Sequence, residues 1–275
     1  MIDWETAYAK INLALHIRRR RDDGYHDLET IFAFTDQGDR IGFRPSTDLS
    51  LSVSGPFGAG LTTGPDNLVW QAAETLRATF SVKKGAHLHI VKQLPIASGI
   101  GGGSADAAAA LRILCRHWEI EFTDQRVGSI AAKLGADVHA CLGSRLTFGS
   151  GVGDQLSSID ETALANMPIL LVNPGINCPT APVFAAWDGV DRGGLGGDDP
   201  LVAALAGRND LELSACSIVP EISALLTLLA DQDGGILSRM SGSGATCFAL
   251  FNTAQEREKA RRAFIGYWTM AARLR

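Results

Sequence analysis

The sequence predicts a globular chain that contains both strands and helices. Residues 7–17 alternate between apolar and polar side chains, which is typical of a half-buried strand. A glycine-rich stretch at 94–106 runs directly into an alanine-rich helical pattern. The chain has 275 residues, enough to bury a large core and to form one large domain or two medium ones.

The composition excludes several classes of protein. Hydrophobic residues make up 46% and charged residues 20%, and the net charge of −5 gives no general attraction for nucleic acid. The five cysteines are odd in number and widely spaced, so neither a zinc site nor a disulfide framework is indicated. No apolar run reaches the roughly 20 residues that span a bilayer, and the first residues lack the features of a signal peptide. We therefore expect a soluble, cytoplasmic protein that binds neither membranes nor nucleic acid.

The remaining elements follow from the same periodicities and from turn residues. The predicted strands are 28–34, 39–43, 49–53, 88–92, 145–148 and 169–172, with a glycine-turn hairpin at 238–251. The predicted helices are 68–79, one from about Ser104, 123–134, and others that begin near 136, 178, 209, 220 and 253. Residues 189–200 hold five glycines and three aspartates and predict a mobile loop.

Polar residues of the first strand share one face. Lys10, Asn12 and His16 alternate with apolar neighbours, so the strand has either a solvated face or a functional surface with a lysine and an asparagine. The charge run at 18–21 ends in a turn and predicts a solvated hairpin or, alternatively, a contact with phosphate or RNA. Tyr25-His26 follows the turn and, by sequence alone, is more typical of packing.

The stretch from Gly99 to Gly103 predicts a backbone loop that binds an anion. Four of its five residues are glycine, so its N–H groups can close around a phosphate at the positive end of the following helix. Ser104 is a good N-cap, which places the helix start there, and Asp106 suits the helix dipole. The stretch lacks the lysine of a P-loop and the third glycine of a dinucleotide fingerprint, and a flexible linker is the alternative interpretation.

Pro-x-x-x-Gly-Ile-Gly-Gly-Gly-Ser-Ala, from Pro95 to Ala105, resembles the ATP loop of the GHMP kinases, the superfamily named after galactose, homoserine, mevalonate and phosphomevalonate kinases. Ala-Lys-Ile-Asn-Leu at 9–13, Gly-Tyr-His at 24–26, Gly-Ala-Asp-Val at 135–138 and Gly-Ser-Gly-Ala at 242–245 are similar to segments of its diphosphocytidyl kinase family. They occur in the family's order, so the resemblance covers nearly the whole chain.

The resemblance implies an α+β fold with the two-domain GHMP kinase architecture. The N-terminal domain, residues 1–158, would be of the ribosomal S5 domain 2 type and would carry the ATP loop and the catalytic residues. The C-terminal domain, residues 159–275, would be ferredoxin-like and would complete the substrate cleft. Two positions depart from the family's pattern, since His139 replaces the usual proline and Ser243 replaces threonine.

The resemblance also implies an ATP-dependent kinase that phosphorylates the 2-hydroxyl of 4-diphosphocytidyl-2-C-methyl-D-erythritol in the non-mevalonate (methylerythritol phosphate) pathway to isoprenoid precursors. Lys10 and Asp137 would be catalytic. The ATP-binding residues would be Pro95, Ile96, Ala97, Ser98, Gly99, Ile100, Gly101, Gly102, Gly103, Ser104, Ala105, Asn67 and Lys92. The substrate-binding residues would be Asn12, Tyr25, His26 and Thr180. ATP and Mg²⁺ would be the cofactors, with Ser104 as a metal ligand, and the protein would be a monomer or a weak homodimer.

Two alternatives remain open at this point. Another GHMP kinase, of the homoserine or mevalonate type, would share Pro95 to Ser104 but has no reason for Gly24-Tyr25-His26. For two single residues a structural role is also open: Asn67 and Asp137 stand at predicted helix starts, where such residues are often caps without a catalytic or binding role. The more remote alternative is a non-enzymatic RNA-binding module that uses Arg18 to Arg21.

Overall fold

The computed structural model describes residues 2–197 and 199–275, which form two compact units. The first unit comprises the chain up to Ala9, Gln37–Ile96 and Gly101–Ser144, and the second comprises Lys10–Asp36, Ala97–Ile100 and Arg145–Arg275. Neither unit is continuous in sequence, because two long strands run from one into the other. The predicted domain division cuts the chain once, between residues 158 and 159, whereas these units are interleaved in sequence. That division stays a prediction.

The two long strands open the chain. β1 (Asp3–Arg20) contains the strand predicted at 7–17 and is longer at both ends. β2 (His26–Ser46) is one continuous strand in place of the two predicted at 28–34 and 39–43. Lys10, Asn12 and His16 are at most 3% exposed, so the interpretation of a solvated face on β1 is wrong.

The first unit combines the second half of β2 with two further strands and four helices. β4 (Gly85–Val91) pairs antiparallel with the end of β2 and parallel with β3 (Leu49–Ser54). The helices are α1 (Leu68–Thr79), α2 (Gly102–Trp118), α3 (Gln125–Leu134) and α4 (Ala136–Gly143). α2 packs against α1 and α4, and its fully buried run at 107–110 is all alanine, which lets neighbouring helices approach closely.

The second unit is built on a four-stranded antiparallel sheet. Besides its parts of β1 and β2, the unit contains the strands β5 (Thr147–Ser150), β6 (Gln155–Ser158), β7 (Pro168–Asn173), β8 (Gly235–Met240), β9 (Cys247–Phe251) and β10 (Trp268–Arg273). Its helices are α5 (Thr180–Ala185), α6 (Pro200–Ala206), α7 (Glu212–Ile218), α8 (Glu221–Ala230) and α9 (Ala254–Arg261). The sheet order is β10–β7–β9–β8, with α8 packed on β8 and β9 and α9 on β7, β9 and β10. β5 and β6 form a hairpin that pairs with the first half of β2.

Two helices begin at other residues than the sequence predicts. α2 begins at Gly102, two residues before the predicted N-cap Ser104, and α3 is capped by Asp124 where Thr123 was predicted to start the helix. The glycine penalty of about 1 kcal/mol per residue led to the wrong start for α2. Tertiary packing of a helix outweighs such propensities, and α2 is buried along most of its length.

The loop predicted to be mobile, 189–200, is tied to β1 and β2 within the second unit. Arg18 forms an ion pair with Asp191 at 3.1 Å, and the Leu195 N–H donates to the Glu29 carboxylate at 2.7 Å. The imidazole Nδ1 of His16 lies 3.1 Å from the carbonyl oxygen of Gly193. Asp198 lies outside the described residues. These contacts argue against a freely moving loop at 189–197.

All five cysteines are free thiols. Over residues 2–197 and 199–275, no helix combines the length and the apolar surface that crossing a bilayer requires.

The close approach of β1 and β2 at Gly38 gives a test of the first unit. A β-carbon at Gly38 would lie 1.9 Å from the carbonyl oxygen of Ala7, so the strands would have to separate. We expect Gly38→Ala to lower the free energy of unfolding by about 3 kcal/mol or more. Gly128→Ala in α3, where no atom lies within 4 Å of the added carbon, is the control and should raise it by up to about 1 kcal/mol. Equal melting temperatures for the two variants would contradict the pairing.

Candidate active site

The N-terminus of α2 is an anion site made of backbone. Gly101, which precedes the helix, has a φ of 63°, in the left-handed region that favours glycine, and no side chain caps the helix. The first turn of any helix leaves N–H groups without intrahelical partners and carries partial positive charge. Gly102 and Gly103 add no side chain in front of these groups, and Ser104 adds one hydroxyl. The arrangement is suited to a phosphate group.

The preceding part of the loop, Ala97–Ile100, is held within the second unit. The Lys10 N–H donates to the Ile100 carbonyl at 3.0 Å. The Ser241 hydroxyl donates to the Gly99 carbonyl at 2.9 Å and accepts from the Asn12 N–H at 3.2 Å. A β-carbon at Gly99 would lie 2.3 Å from the Ser241 carbonyl oxygen, and its φ is 78°. Both facts require glycine at this position.

A chain of buried polar groups fixes the lysine of β1. The Lys10 ammonium donates to Asn12 Oδ1 at 3.1 Å, and it lies 5.3 Å from the centre of the Phe32 ring. Asn12 Nδ2 donates to the Thr30 hydroxyl at 2.8 Å, which in turn donates to the Ala14 carbonyl at 2.6 Å. Lys10 and Asn12 therefore share a face, as the strand pattern predicts, and Asn12 sets the position of the lysine.

Lys92 lies between two carboxylates inside the first unit. Its ammonium contacts Asp39 Oδ2 and Asp106 Oδ2, each at 2.6 Å, and all three side chains are buried. The other oxygen of Asp39 accepts from the backbone N–H groups of Gln93 and Leu94, which lead into the glycine loop. The three side chains therefore join β2, the end of β4 and the first turns of α2.

Burial governs the titration of this cluster. Burial raises the pKa of the Asp106 carboxyl to about 7, against the attraction of the Lys92 ammonium. Burial alone would lower the pKa of Lys92, but Asp106 and Asp39 together raise it above its usual value. Asp106 Oδ1 is buried with no hydrogen-bond partner among the described residues, which fits a carboxyl that holds its proton readily. The predicted contact of Lys92 with ATP stays a prediction, while its ammonium has this structural use.

Asp137 lies in the first turn of α4 and is half-buried. The far end of this helix is held by Arg112 of α2, whose guanidinium donates to the Cys141 carbonyl at 2.8 Å and pairs with Glu5 at 2.8 Å. His139, which stands where the family has proline, donates its N–H to the Gly135 carbonyl at 3.2 Å. A proline at this position could not make this bond.

Tyr25 and His26 differ in exposure. Tyr25 is 65% exposed, while His26 is 7% exposed and its ring lies 5.2 Å from that of Phe184 and 5.7 Å from that of Trp187, measured between ring centres. Arg20 Nε donates to His26 Nε2 at 3.3 Å, so Nε2 accepts and the proton is on Nδ1. Burial, and then the charge of Arg20, lower the pKa of His26, which is therefore neutral at pH 7.

The other predicted site residues have clear local positions. Asn67 is the N-cap of α1, because its Oδ1 accepts from the Val69 N–H at 2.9 Å. Thr180 is the first residue of α5, and its hydroxyl lies 2.9 Å from that of Ser243 in the glycine turn. The predicted residues divide between the units: the first holds Asn67, Lys92, Pro95, Ile96, Gly101–Ala105 and Asp137, and the second holds Lys10, Asn12, Tyr25, His26, Ala97–Ile100 and Thr180.

The donor set for a metal ion is small. Across residues 2–197 and 199–275 there is no group of three or more histidine, cysteine or acidic residues that could hold a metal. Asp106 is buried and one of its oxygens pairs with Lys92, so it does not face an incoming cation. The Ser104 hydroxyl remains, which fits Mg²⁺ only as one ligand beside phosphate oxygens and water.

Several residues that build the site were not found from the sequence. Asp39, Thr30 and Ser241 lie inside strands or turns without a local signal, and their roles depend on contacts distant in sequence. Arg112 and Phe184 are likewise ordinary helix residues in the sequence. The sequence offers one signal for these contacts. Lys92 ends a predicted strand, Asp106 lies in a predicted helix, and the glycine loop joins the two elements.

Two protein-family models match separate segments of the chain. Residues 67–145 match "GHMP kinases N terminal domain" and residues 195–268 match "GHMP kinases C terminal". A protein of Rhizorhabdus wittichii named 4-diphosphocytidyl-2-C-methyl-D-erythritol kinase is 53% identical, and the match covers 98% of this chain and 94% of the relative. A protein of the same name from Novosphingobium aromaticivorans is 51% identical, with 98% and 92% covered.

Solved structures agree with these sequence matches. A crystal structure of 4-(cytidine 5'-diphospho)-2C-methyl-D-erythritol kinase is 31% identical, has a TM-score of 0.82, and is matched over 100% of this chain and 99% of its own. The mevalonate kinase of Methanococcus jannaschii has a TM-score of 0.71 at 12% identity, with 100% and 98% covered. The second likeness concerns the fold alone.

The buried Lys92 cluster gives a prediction for stability. Lys92→Met leaves two carboxylates without their cation and should cost about 3–5 kcal/mol of unfolding free energy. Asp106→Asn keeps the pair of Lys92 and Asp39 and should cost far less. Because the pKa of Asp106 is raised on folding to about 7, its burial opposes folding increasingly as pH rises from about 4 to about 7.

The melting temperature of Asp106→Asn relative to wild type should therefore increase between pH 5 and pH 8. Lys133→Met, at an exposed position of α3, is the control and should change little. A difference between Asp106→Asn and wild type that is independent of pH would contradict the raised pKa.

Proposed function

Because the chain belongs to the GHMP kinases and, within them, to the 4-diphosphocytidyl-2-C-methyl-D-erythritol kinase family, we propose that it transfers the γ-phosphoryl group of ATP to the 2-hydroxyl of 4-diphosphocytidyl-2-C-methyl-D-erythritol. This reaction belongs to the non-mevalonate pathway of isoprenoid precursors. Family membership confirms the predicted α+β GHMP kinase fold class and the prediction of an ATP-dependent small-molecule kinase.

The observation that carries the proposal is the uncapped N-terminus of α2. Phosphoryl transfer depends mostly on positioning and on electrostatic stabilisation of phosphate oxygens. Backbone N–H groups from Gly101 to Ser104 supply both, because they are fixed by the helix and carry its positive end. The glycines let the backbone itself approach the triphosphate.

Lys10 is proposed to neutralise charge on the transferred phosphoryl group. Its ammonium is buried, and an interaction with an anion is stronger where water is excluded. Asn12 and Thr30 hold the ammonium in place, so little reorganisation is needed at the moment of reaction.

Asp137 is proposed to accept the proton of the attacking hydroxyl. The pKa of an alcohol lies far above that of an aspartate, so the proton moves late, when the bond to phosphorus is already forming. The position of α4 is supported from its far end by Arg112 and from its first turn by the His139 N–H.

Tyr25 and His26 are proposed to bind the cytosine base. The exposed tyrosine ring offers a stacking surface, and the fixed His26 ring has its Nδ1–H to donate. Phe184 and Trp187 hold the His26 ring at a fixed angle. Thr180, beside Ser243, is proposed as a second contact on the same side.

The nucleotide is proposed to bind as its magnesium complex. Bound Mg²⁺ would supply neutralisation of triphosphate charge, and Ser104 is the residue that would hold it. Asn67 and Lys92 are proposed to lie on the adenine side. We further expect a cytoplasmic protein that is a monomer or a weak homodimer.

The alternatives are weaker on specific grounds. Homoserine and mevalonate carry no base, so they give no use to Tyr25 and the fixed His26 ring. An RNA-binding surface at 18–21 is disfavoured because Arg18, Arg19 and Arg21 pair with carboxylates: the partners are Glu29 and Asp191, then Asp27, and then Asp23 and Asp27.

The activity is tested by coupled ADP release with the diphosphocytidyl methylerythritol substrate, homoserine and mevalonate as separate acceptors. We expect turnover with the first alone, and CDP should compete with it for the acceptor site. Turnover with homoserine or mevalonate in its place would replace the proposed substrate.

The catalytic residues are tested in the same assay. Asp137→Asn and Lys10→Met should each lower kcat by roughly 10² to 10⁴, because each removes a group that acts in the transition state. Circular dichroism should show the fold of both variants intact. Lys133→Met serves as the control, and a folded Asp137→Asn enzyme with full activity would refute the assignment of the base.

The base-binding residues should affect one substrate alone. Tyr25→Ala and His26→Ala should raise KM for the cytidine substrate by roughly tenfold or more, since stacking on a base contributes about 1–3 kcal/mol. KM for ATP should stay within about twofold. Tyr25→Phe keeps the ring and should resemble wild type. Equal increases in both KM values would show that the two residues are misassigned.

A further inference from the structure

A cavity lies in the first unit, at the opposite end of α2 from the uncapped N-terminus. Its volume is about 590 Å³, within the range of roughly 300–1,000 Å³ that is usual for sites of small molecules. The 17 residues of α2 separate the two ends of the helix by about 25 Å. None of the residues that line the cavity is assigned to ATP or to the cytidine substrate.

Three elements of the first unit form the walls. They are the end of β2, the residues at the start of β4, and the last turn of α2. The lining residues are Phe43, Pro45, Ser46, Thr47, Lys83, Lys84, Gly85, His117 and Trp118. Ser46 pairs with Gly85, which fixes the end of β2 relative to the start of β4 on this side of the cavity.

Aromatic rings form a preformed wall. Phe43 and His117 stack with ring centres 3.8 Å apart and planes 12° from parallel. His117 Nε2 lies 2.9 Å from an oxygen of Asp3, which fixes the imidazole on its other side. Trp118 is 6% exposed, and its indole N–H has no hydrogen-bond partner among the residues that the structure describes.

The charge of the lining is basic. Lys83 and Lys84 are both exposed at the cavity. Lys84 pairs with Glu119 at 3.1 Å, while Lys83 forms no ion pair within the described part of the chain. The nearby acid Asp3 is already engaged by Arg116 and His117. The cavity therefore combines flat apolar walls with an ammonium group that lacks a counter-ion.

We propose that this cavity binds a small aromatic molecule that carries a phosphate or a carboxylate. The ring system would lie against Phe43 and Trp118, and the anionic group would meet Lys83 and Lys84. Aromatic walls favour flat ring systems, and charge-assisted bonds to lysine favour anions. The inference does not depend on the kinase reaction, because the cavity shares no residue with the proposed active site.

The test is direct binding with three probes that share one ring system. Binding of 2-naphthyl phosphate, 2-naphthoate and uncharged 2-naphthol is measured by isothermal titration calorimetry, with ADP and CDP present at saturation so that the nucleotide sites are filled. We expect at least one anion to bind about tenfold more tightly than 2-naphthol. The stronger of the two anions identifies the headgroup. Failure of both anions to bind at millimolar concentration, or equal binding of all three probes, would overturn the proposal.

Variants then locate the bound probe. The double variant Lys83→Gln/Lys84→Gln should raise the Kd of the anionic probe about tenfold, and Ser46→Trp, which fills the cavity, should abolish binding. Lys133→Gln, an exposed lysine of α3, is the matched control and should leave the Kd unchanged. All variants should keep the melting temperature and kcat of wild type. An unchanged Kd in the double lysine variant, or binding that appears only without ADP and CDP, would place the probe elsewhere and refute the site.

Discussion

The ammonium of Lys92, buried between Asp39 and Asp106, is the interaction on which the first unit depends. It joins β2, β4 and α2 at the point where the glycine loop meets its helix. Burying a charge is costly unless it is paired, and the Lys92 ammonium is paired with two carboxylates. A β-carbon on Gly102 would lie 3.0 Å from the Lys92 nitrogen, so the helix begins directly against this cluster. The ion cluster therefore holds in place the backbone N–H groups that are proposed to bind phosphate.

The second unit holds its part of the loop by different means. There the Ser241 hydroxyl connects the Gly99 carbonyl to the Asn12 N–H, and the Ile100 carbonyl accepts from the Lys10 N–H. These are neutral hydrogen bonds with little dependence on salt or pH. The segment from Ala97 to Ser104 is therefore anchored by neutral bonds at one end and by an ion cluster at the other.

The sequence predicted which elements form and which residues carry the chemistry better than it predicted the contacts that hold those residues in place. Asn67 as a cap, α1 at 68–79 and the shared face of Lys10 and Asn12 follow from local patterns, and the structure confirms them. The start of α2 was misplaced because propensity was weighed without packing, and the burial of Lys10 and His16 was missed because alternation suggests only a half-buried strand. Thr30, Asp39 and Arg112 could not be found, since each acts through partners far away in sequence. Local patterns also carry no information on whether Lys10 and Asp137 act on the same hydroxyl, because the two residues are far apart in sequence.

The geometry at Gly99 has a consequence for how this loop can vary. A methyl group there would occupy the space of a neighbouring carbonyl oxygen, and the backbone would still require a left-handed conformation. At Gly103 the nearest atom to such a methyl is a leucine side chain 3.8 Å away, at ordinary contact distance. In a saturation library the two glycines should therefore behave differently, with position 99 closed to every replacement and position 103 open to alanine.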